Sequence, residues 1–382
     1  MASRQKALHR YLRPPVEDDL RRKMVFLGGP RQVGKTTLAL TLLGSAGRRH
    51  PGYLNWDDPQ VRPDLLRGRV PGGEKLVVLD EIHKFPRWRN LVKGLYDTEG
   101  DRVSFLVTGS ARLDHYRKGG DSLQGRYHHY RLHPFSLGEL GPDSSASDLE
   151  TLLRFGGFPE PLLAGTTRTW RRWQRERLSR VVYEDLRDLE NVRQVALVEL
   201  LVEALPERVG SPLSVRSLSE DLQVAHETVA RWLGILENLY VCFRILPFGA
   251  PRIRAVKKET KLYLWDWSQT PEKDERFENL VACHLLKYCH QLEDTQGHRM
   301  ELRFLRDTDR REVDFIVIRD SEPMFAVECK TGERAPSPAV TYFRQRTPIA
   351  DFYQVHLGER DYVSRGVRVL PFRTLCKEMA LP

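Results

Sequence analysis

Residues 29–36 read Gly-Pro-Arg-Gln-Val-Gly-Lys-Thr, which satisfies the pattern GxxxxGK[ST] at every fixed position. The segment follows the apolar run MVFLG and precedes the helix-forming stretch TTLALTLLG, the strand-then-helix setting that the pattern needs. The chemistry implied is phosphate binding. Gly29 and Gly34 let backbone N–H groups wrap a β-phosphate with no side chain in the way, and the new helix adds positive partial charge at its N-terminus. Lys35 would reach the β- and γ-phosphates, the Thr36 hydroxyl would hold Mg²⁺, and Thr37 follows among the nucleotide-binding residues.

An acidic pair completes that chemistry. Leu76-Val-Val-Leu ends in Asp80-Glu81, four apolar residues and two carboxylates, as expected where a buried parallel strand meets its ligand. Asp80 would support the Mg²⁺ and its water, and Glu81 would orient and deprotonate the attacking water. The run VSFLVTGSARL is another buried strand. It ends at Thr108 and Ser110, where a γ-phosphate sensor or a helix N-cap serine would sit.

A third constellation lies near the C-terminus. MFAVECK puts Glu328 and Lys330 two apart on one strand, so their side chains face the same way, while Val327 and Cys329 face the other. EVDFIVI places Asp314 near the start of a preceding strand, and a helical segment before it carries Glu278. Asp314, Glu328 and Lys330 resemble the D…ExK set of the restriction-endonuclease-like, PD-(D/E)xK, fold. There the carboxylates hold Mg²⁺ against a scissile phosphate and the lysine activates water or stabilises developing charge. Glu278 matches the extra acid of resolvase-like members of that fold.

Between these blocks, LSVRSLSEDLQVAHETVARWLGILENLYVCF has a helix-turn-helix pattern. Leu218 and Leu222 form one apolar face, 223–225 the turn, and Val229, Leu233, Leu236 and Leu239 the next face. YVCFRIL would be the wing of a winged helix. Arg216, Thr228 and Arg231 are the candidate DNA contacts, with Glu227 opposing phosphate on the same face. A basic run of Arg168, Arg171, Arg172, Arg175, Arg177 and Arg180 precedes it, either a phosphate-contacting face or a solvated one.

The elements that must position these residues divide the 382-residue chain into two or more domains. The expected boundaries are 1–148 for an α/β P-loop core with a parallel sheet, 149–207 for a helical lid, 208–258 for the winged helix and 259–382 for a second α/β unit. The net charge of +9 suits phosphate-rich partners and equally a solubilising surface. Five scattered cysteines without CxxC spacing argue for reduced thiols in the cytoplasm and against a disulfide framework or zinc site. No apolar run approaches the roughly 20 residues of a membrane helix, so no membrane partner is expected.

In order along the chain, GGPRQVGKTT, VVLDEIH, VTGSARL, SLQGRYHHYRLHPFSLGEL, GGFPE, the winged-helix stretch and RFENLVACHLL…REVDFIVI…AVECK together resemble one family. It comprises bacterial and archaeal AAA-type ATPases whose C-terminal portion joins a winged helix to a restriction-endonuclease-like domain of unassigned function. GSARL departs from the pattern, since many members carry a second small hydroxyl residue after GS. The resemblance implies ATP and Mg²⁺ as cofactors and a homo-oligomer such as a hexameric ring. It also implies an arginine reaching the neighbouring subunit's nucleotide, at Arg126 with Arg117 in reserve; a surface arginine is the alternative for Arg126. The implied function is an ATP-hydrolysing DNA-processing protein that remodels branched or broken DNA and carries a metal-dependent nuclease. An ATP-driven switch or scaffold, whose nuclease-like domain only binds nucleic acid or a protein partner, is the alternative.

Overall fold

Parallel strands buried on both faces must be apolar, and the N-terminal third supplies such runs at β1 (Met24–Gly28), β3 (Leu76–Asp80) and β4 (Ser104–Thr108), with the more polar, half-buried β2 (Tyr53–Asn55) and β5 (Tyr127–Arg131) beside them. A computed structural model describes residues 9–45, 47–109, 123–141, 143–180, 194–249 and 259–382. In it these strands form one parallel sheet in the order β2-β3-β4-β1-β5. Phe26, Val77, Leu79, Phe105 and Val107 fill one face of the sheet against Trp88, Val92 and Leu95 of the helix Trp88–Glu99. All the strands point the same way, so their C-terminal ends share one edge. The loop after β1 and the acids at the end of β3 lie along it.

The chain divides into two compact units, one ending at His133 and the other running from Pro134 to Pro382. The expected domains at 1–148, 149–207, 208–258 and 259–382 divide the chain more finely than these two units. Within the second unit, one strand links two of them. β6 (Cys242–Pro247), read from the sequence as a wing, pairs antiparallel with β7 (Lys261–Leu264) and parallel with β8 (Met300–Arg306). With β9 (Glu312–Arg319), β10 (Glu322–Cys329), β11 (Asp351–His356), β12 (Tyr362–Ser364) and β13 (Val367–Pro371) they make an eight-stranded mixed sheet in the order β12-β13-β11-β10-β9-β8-β6-β7.

The helix-turn-helix pattern itself is present as helices Val215–Leu222 and His226–Asn238, with Gln223 turning the chain at φ 53°. Ser214 caps the first by accepting from the Ser217 N–H. A 24-residue helix, Lys273–Gln296, packs against β7, β8, β9 and β10 and ends at Gly297, whose φ of 76° supplies the left-handed cap. All five cysteines are buried, and no disulfide joins them.

Candidate functional site

The phosphate loop is shaped by two positions that only glycine fills easily. Gly29 sits at φ 136°, and a Cβ there would run into the Leu132 carbonyl oxygen. Gly34, at φ 100°, is the N-cap of the helix Lys35–Leu42. Lys35 is buried and its Nζ donates to the Gly29 and Pro30 carbonyls at 2.9 and 2.7 Å, so the ammonium lies along the inside of the loop. From the N-terminal helix side, Arg10 donates to the carbonyls of Val33 and His133 and braces the loop. Thr37 is exposed on the helix's first turn.

Asp80 is where the hydroxyls converge. Thr36 Oγ1 donates to its Oδ2 at 3.1 Å, the Tyr53 hydroxyl donates to the same oxygen, and Thr108 Oγ1 donates to Oδ1. The register explains the meeting: Asp80 pairs with Thr108 across β3 and β4, and with Asn55 across β3 and β2. Burial, then the Asp80 bond and charge, push the Tyr53 phenol up, so it stays a donor. Tyr53 was not legible in the sequence, because its role depends on β2 lying beside β3.

Glu81 turns the chain at φ 58°, a left-handed conformation unusual for a non-glycine residue. Its Oε2 lies 3.6 Å from His83 Nε2 and 3.5 Å from Lys84 Nζ. Burial holds its carboxyl above the ordinary range, with Asp80 adding to that and Lys35 and Lys84 opposing it. A raised carboxyl beside the phosphate loop has the character of a general base. The glycine cradle, Lys35 and the Thr36–Asp80 pair suit a nucleoside triphosphate with Mg²⁺, Thr36 and Asp80 being the residues that would hold the metal.

Arg126 stands apart. It precedes β5, whose first residue pairs with Met24, while the phosphate loop follows the far end of β1. Five residues of strand separate them, roughly 17 Å. At that opposite edge Arg126 Nε contacts Asp97 at 3.1 Å. Ser110 and Arg117 lie outside the described residues.

In the second unit Asp314, Glu328 and Lys330 come together as their spacing predicts. Val327 pairs with Phe315, which sets Glu328 beside Asp314, and both carboxylates are buried. Lys330 Nζ donates to Glu328 Oε1 at 2.6 Å, and the Cys329 N–H donates to Asp314 Oδ2 at 2.8 Å. Glu328 Oε2 is buried without a hydrogen-bond partner. Burial, then the charge of Asp314, pushes the Glu278 and Glu328 carboxyls well above the ordinary range.

Glu278 is engaged differently from its expected role. Its Oε1 accepts from Tyr263 at 2.7 Å and from Lys261 Nζ at 3.1 Å. The same ammonium lies 2.5 Å from Glu312 and 3.5 Å from Asp314. Burial alone would push Lys261 down, but Glu278, Asp314 and Glu312 outweigh it and hold the amine charged. Lys261 was missed in the sequence, although a lysine heading the apolar run KLYLW is a signal. Among the described residues, no group of three or more His, Cys, Asp or Glu side chains is arranged to hold a metal ion. The expected metal set of Glu278, Asp314 and Glu328 thus does not fit a resident cation as it stands: the oxygens converge on Lys261, and one oxygen of Glu328 stays open.

The candidate DNA contacts are scattered over the helix pair. Arg216 is exposed but paired with Glu220 at 2.9 Å, Thr228 is half-buried, and Arg231 is exposed with no carboxylate partner among the described residues. The basic run also splits. Arg177 turns inward, its guanidinium 4.3 Å from the Phe158 ring centre and 3.9 Å from Asp266, and Arg180 meets Glu176. Arg168, Arg171, Arg172 and Arg175 remain exposed on the helix Thr167–Arg180, without a carboxylate partner among the described residues.

Residues 21–141 match the family model of an AAA domain. The remainder matches two models described as domains of unknown function, DUF8612 over 146–269 and DUF4143 over 273–375. An uncharacterized protein of Mycobacterium tuberculosis is 27% identical over 246 residues, covering 64% of this chain but only 55% of that protein. The chain thus matches little more than half the length of that relative. One of Methanocaldococcus jannaschii is 22% identical over 381 residues, 84% of this chain and 78% of that one. Among solved structures, the Thermotoga maritima RuvB Holliday junction branch migration motor is 18% identical, covering 61% of this chain and 87% of that one with a TM-score of 0.28. AMPPCP-bound DnaA from Aquifex aeolicus is 15% identical, covering 58% and 85% with a TM-score of 0.30. The N-terminal unit is an AAA-type P-loop NTPase domain in a mixed α/β chain. Among the described residues, no helix is long and apolar enough to cross a membrane.

Proposed function

We propose that this chain hydrolyses ATP and uses the energy to bind and remodel DNA, with branched or broken ends as the substrate class. The observation that carries the ATPase reading is the meeting of Lys35, Thr36, Asp80 and Glu81 at one edge of the parallel sheet. Backbone N–H groups of the loop hold the β-phosphate, and Lys35 exchanges its two carbonyl partners for phosphate oxygens. Bound Mg²⁺ would supply charge neutralisation at the β- and γ-phosphates. Thr36 and Asp80 hold their geometry for it through three hydroxyls, and Glu81 takes the proton of the attacking water. The working form in this reading is a homo-oligomeric ring in the cytoplasm, with Arg126, remote from its own copy's phosphate loop, as the arginine that serves a neighbouring copy's nucleotide. The exposed arginines 168, 171, 172 and 175 and Arg231, which have no carboxylate partner among the described residues, favour a DNA partner, held by phosphate contacts more than by base reading. Domains at 1–148, 149–207, 208–258 and 259–382 remain our functional division of this machine.

The test is Glu81→Gln. It should bind ATP as the parent does and hydrolyse it about 10²–10⁴-fold more slowly. Unaltered turnover would reject Glu81 as the base.

A second reading concerns the C-terminal domain, where the buried Lys261 among the carboxylates favours a reader over a nuclease. Labelled duplex, forked and four-way-junction DNA with Mg²⁺ or Mn²⁺ separates the two. Cleavage by the parent that disappears in Asp314→Ala makes the domain a nuclease, and binding without cleavage makes it a reader.

A further inference from the structure

Lys261 is fully buried, and three carboxylates from two other elements close on it: Glu278 from the helix Lys273–Gln296, and Glu312 and Asp314 from β9. An ammonium has three N–H donors and no acceptor, so three surrounding carboxylates match it donor for donor. Its neighbour on the same face of β7, Tyr263, donates to Glu278 as well, which fixes that carboxylate toward the lysine. The far oxygen of Glu312 is held by Arg306 at 2.5 Å. Burying an ammonium is unfavourable unless it is paired in this way, and burying the carboxylates without it would be worse. Mg²⁺ or Mn²⁺ in such a cluster would have to sit where the oxygens converge. In this chain that point is a lysine nitrogen.

We propose that Lys261 is a built-in cation that takes the place of a divalent metal among Glu278, Glu312 and Asp314. The cluster therefore holds its shape without metal, and removing the lysine converts it into a metal site. This rests on the reader reading of the C-terminal domain and deepens it, since a cluster organised by lysine carries no metal-activated water. Lys330 does the same for Glu328 at the edge of the cluster, leaving the single open oxygen of Glu328 facing the interior.

The experiment is thermal unfolding of the full, nucleotide-free chain in EDTA and in millimolar Mn²⁺, with bound Mn²⁺ followed by its electron paramagnetic resonance signal. The parent should unfold at the same temperature in both conditions. Lys261→Met should unfold at a lower temperature in EDTA, recover in Mn²⁺ and bind an additional ion. Lys261→Met with Asp314→Asn should lose that recovery. If Lys261→Met does not fold in EDTA, refolding it in Mn²⁺ decides: recovery of folded chain supports the proposal, and no recovery overturns it. Mn²⁺ stabilisation of the parent that vanishes in Asp314→Asn overturns it too, because the cluster would then take a metal beside the lysine. DNA cleavage by the parent would reject the reader reading and this inference together. A non-cleaving parent whose Lys261→Met variant ignores Mn²⁺ rejects this inference alone.

Discussion

Asp80 and Thr108 face each other in the register of β3 and β4, and the Thr108 hydroxyl donates to the one Asp80 oxygen that Thr36 and Tyr53 leave to it. The carboxylate is thereby fixed on both oxygens before any ligand arrives. Thr108→Val keeps the shape of the side chain and removes that donor. ATP turnover should fall about 10–100-fold, the range for losing an orienting partner of a metal-binding group. Nucleotide affinity without Mg²⁺ should stay as in the parent. A variant with parental turnover would mean that Thr36 and Tyr53 suffice to hold the acid.

Arg126 and Lys35 lie at opposite edges of one sheet, so no single copy brings them together. Arg126→Ala should lower hydrolysis by about 10³-fold, as expected for a finger supplied from a neighbour. Mixing Arg126→Ala with Lys35→Ala chains should then restore part of the activity, because some interfaces join an intact loop to an intact arginine. Mixtures as inactive as either parent variant would place the arginine's work at its ion pair with Asp97.

Positions 168, 171, 172 and 175 follow the i, i+3, i+4, i+7 spacing of one helix face. The inner face of that helix is tied down by Trp170 on Ser268 at 2.9 Å and Gln174 on Asp266 at 2.5 Å. Replacing the four arginines by glutamine should leave folding intact and weaken DNA binding equally across sequences. The salt dependence of binding should become shallower by about 0.9 for every phosphate that is no longer neutralised. An unchanged slope would make this a solvated face.

His284 is buried, with Nε2 accepting the Leu137 N–H at 3.0 Å and Nδ1 at 2.7 Å from the Leu280 carbonyl, which fixes the Nδ1–H tautomer. Burial, with Lys287 nearby, depresses its pKa to about 3, against the opposing pull of Glu139. The unfolded chain therefore binds a proton that the native chain refuses. The stabilisation is complete above the ordinary histidine value and is lost as pH falls toward the depressed one, at about 1.4 kcal/mol per pH unit. Comparing the parent with His284→Gln cancels the other titrating groups. The parent should lose stability faster between roughly pH 6 and 4, and parallel curves would show that His284 does not titrate there.

How far the sequence reveals this protein depends on whether a residue's role is local. The central strands of the first sheet were legible because burial on both faces demands continuous apolar runs. Asp80 and Glu81 followed because they close such a run, and Lys35 because its glycine loop begins where another run ends. Tyr53 was not legible, since it serves Asp80 only through strand order. The basic run looked uniform in sequence, yet helix phase turns Arg177 into the core and leaves its neighbours outside. Lys261 and β6 belong with partners far along the chain, and no local pattern announces either pairing.

β6 has one more consequence. It leaves the helix-turn-helix pair and enters the interior of the same sheet whose β9 and β10 carry Asp314 and Glu328. The helix pair is thus bolted to the carboxylate cluster through hydrogen-bonded strands. The path from one to the other therefore runs through the rungs of a sheet and not along a tether.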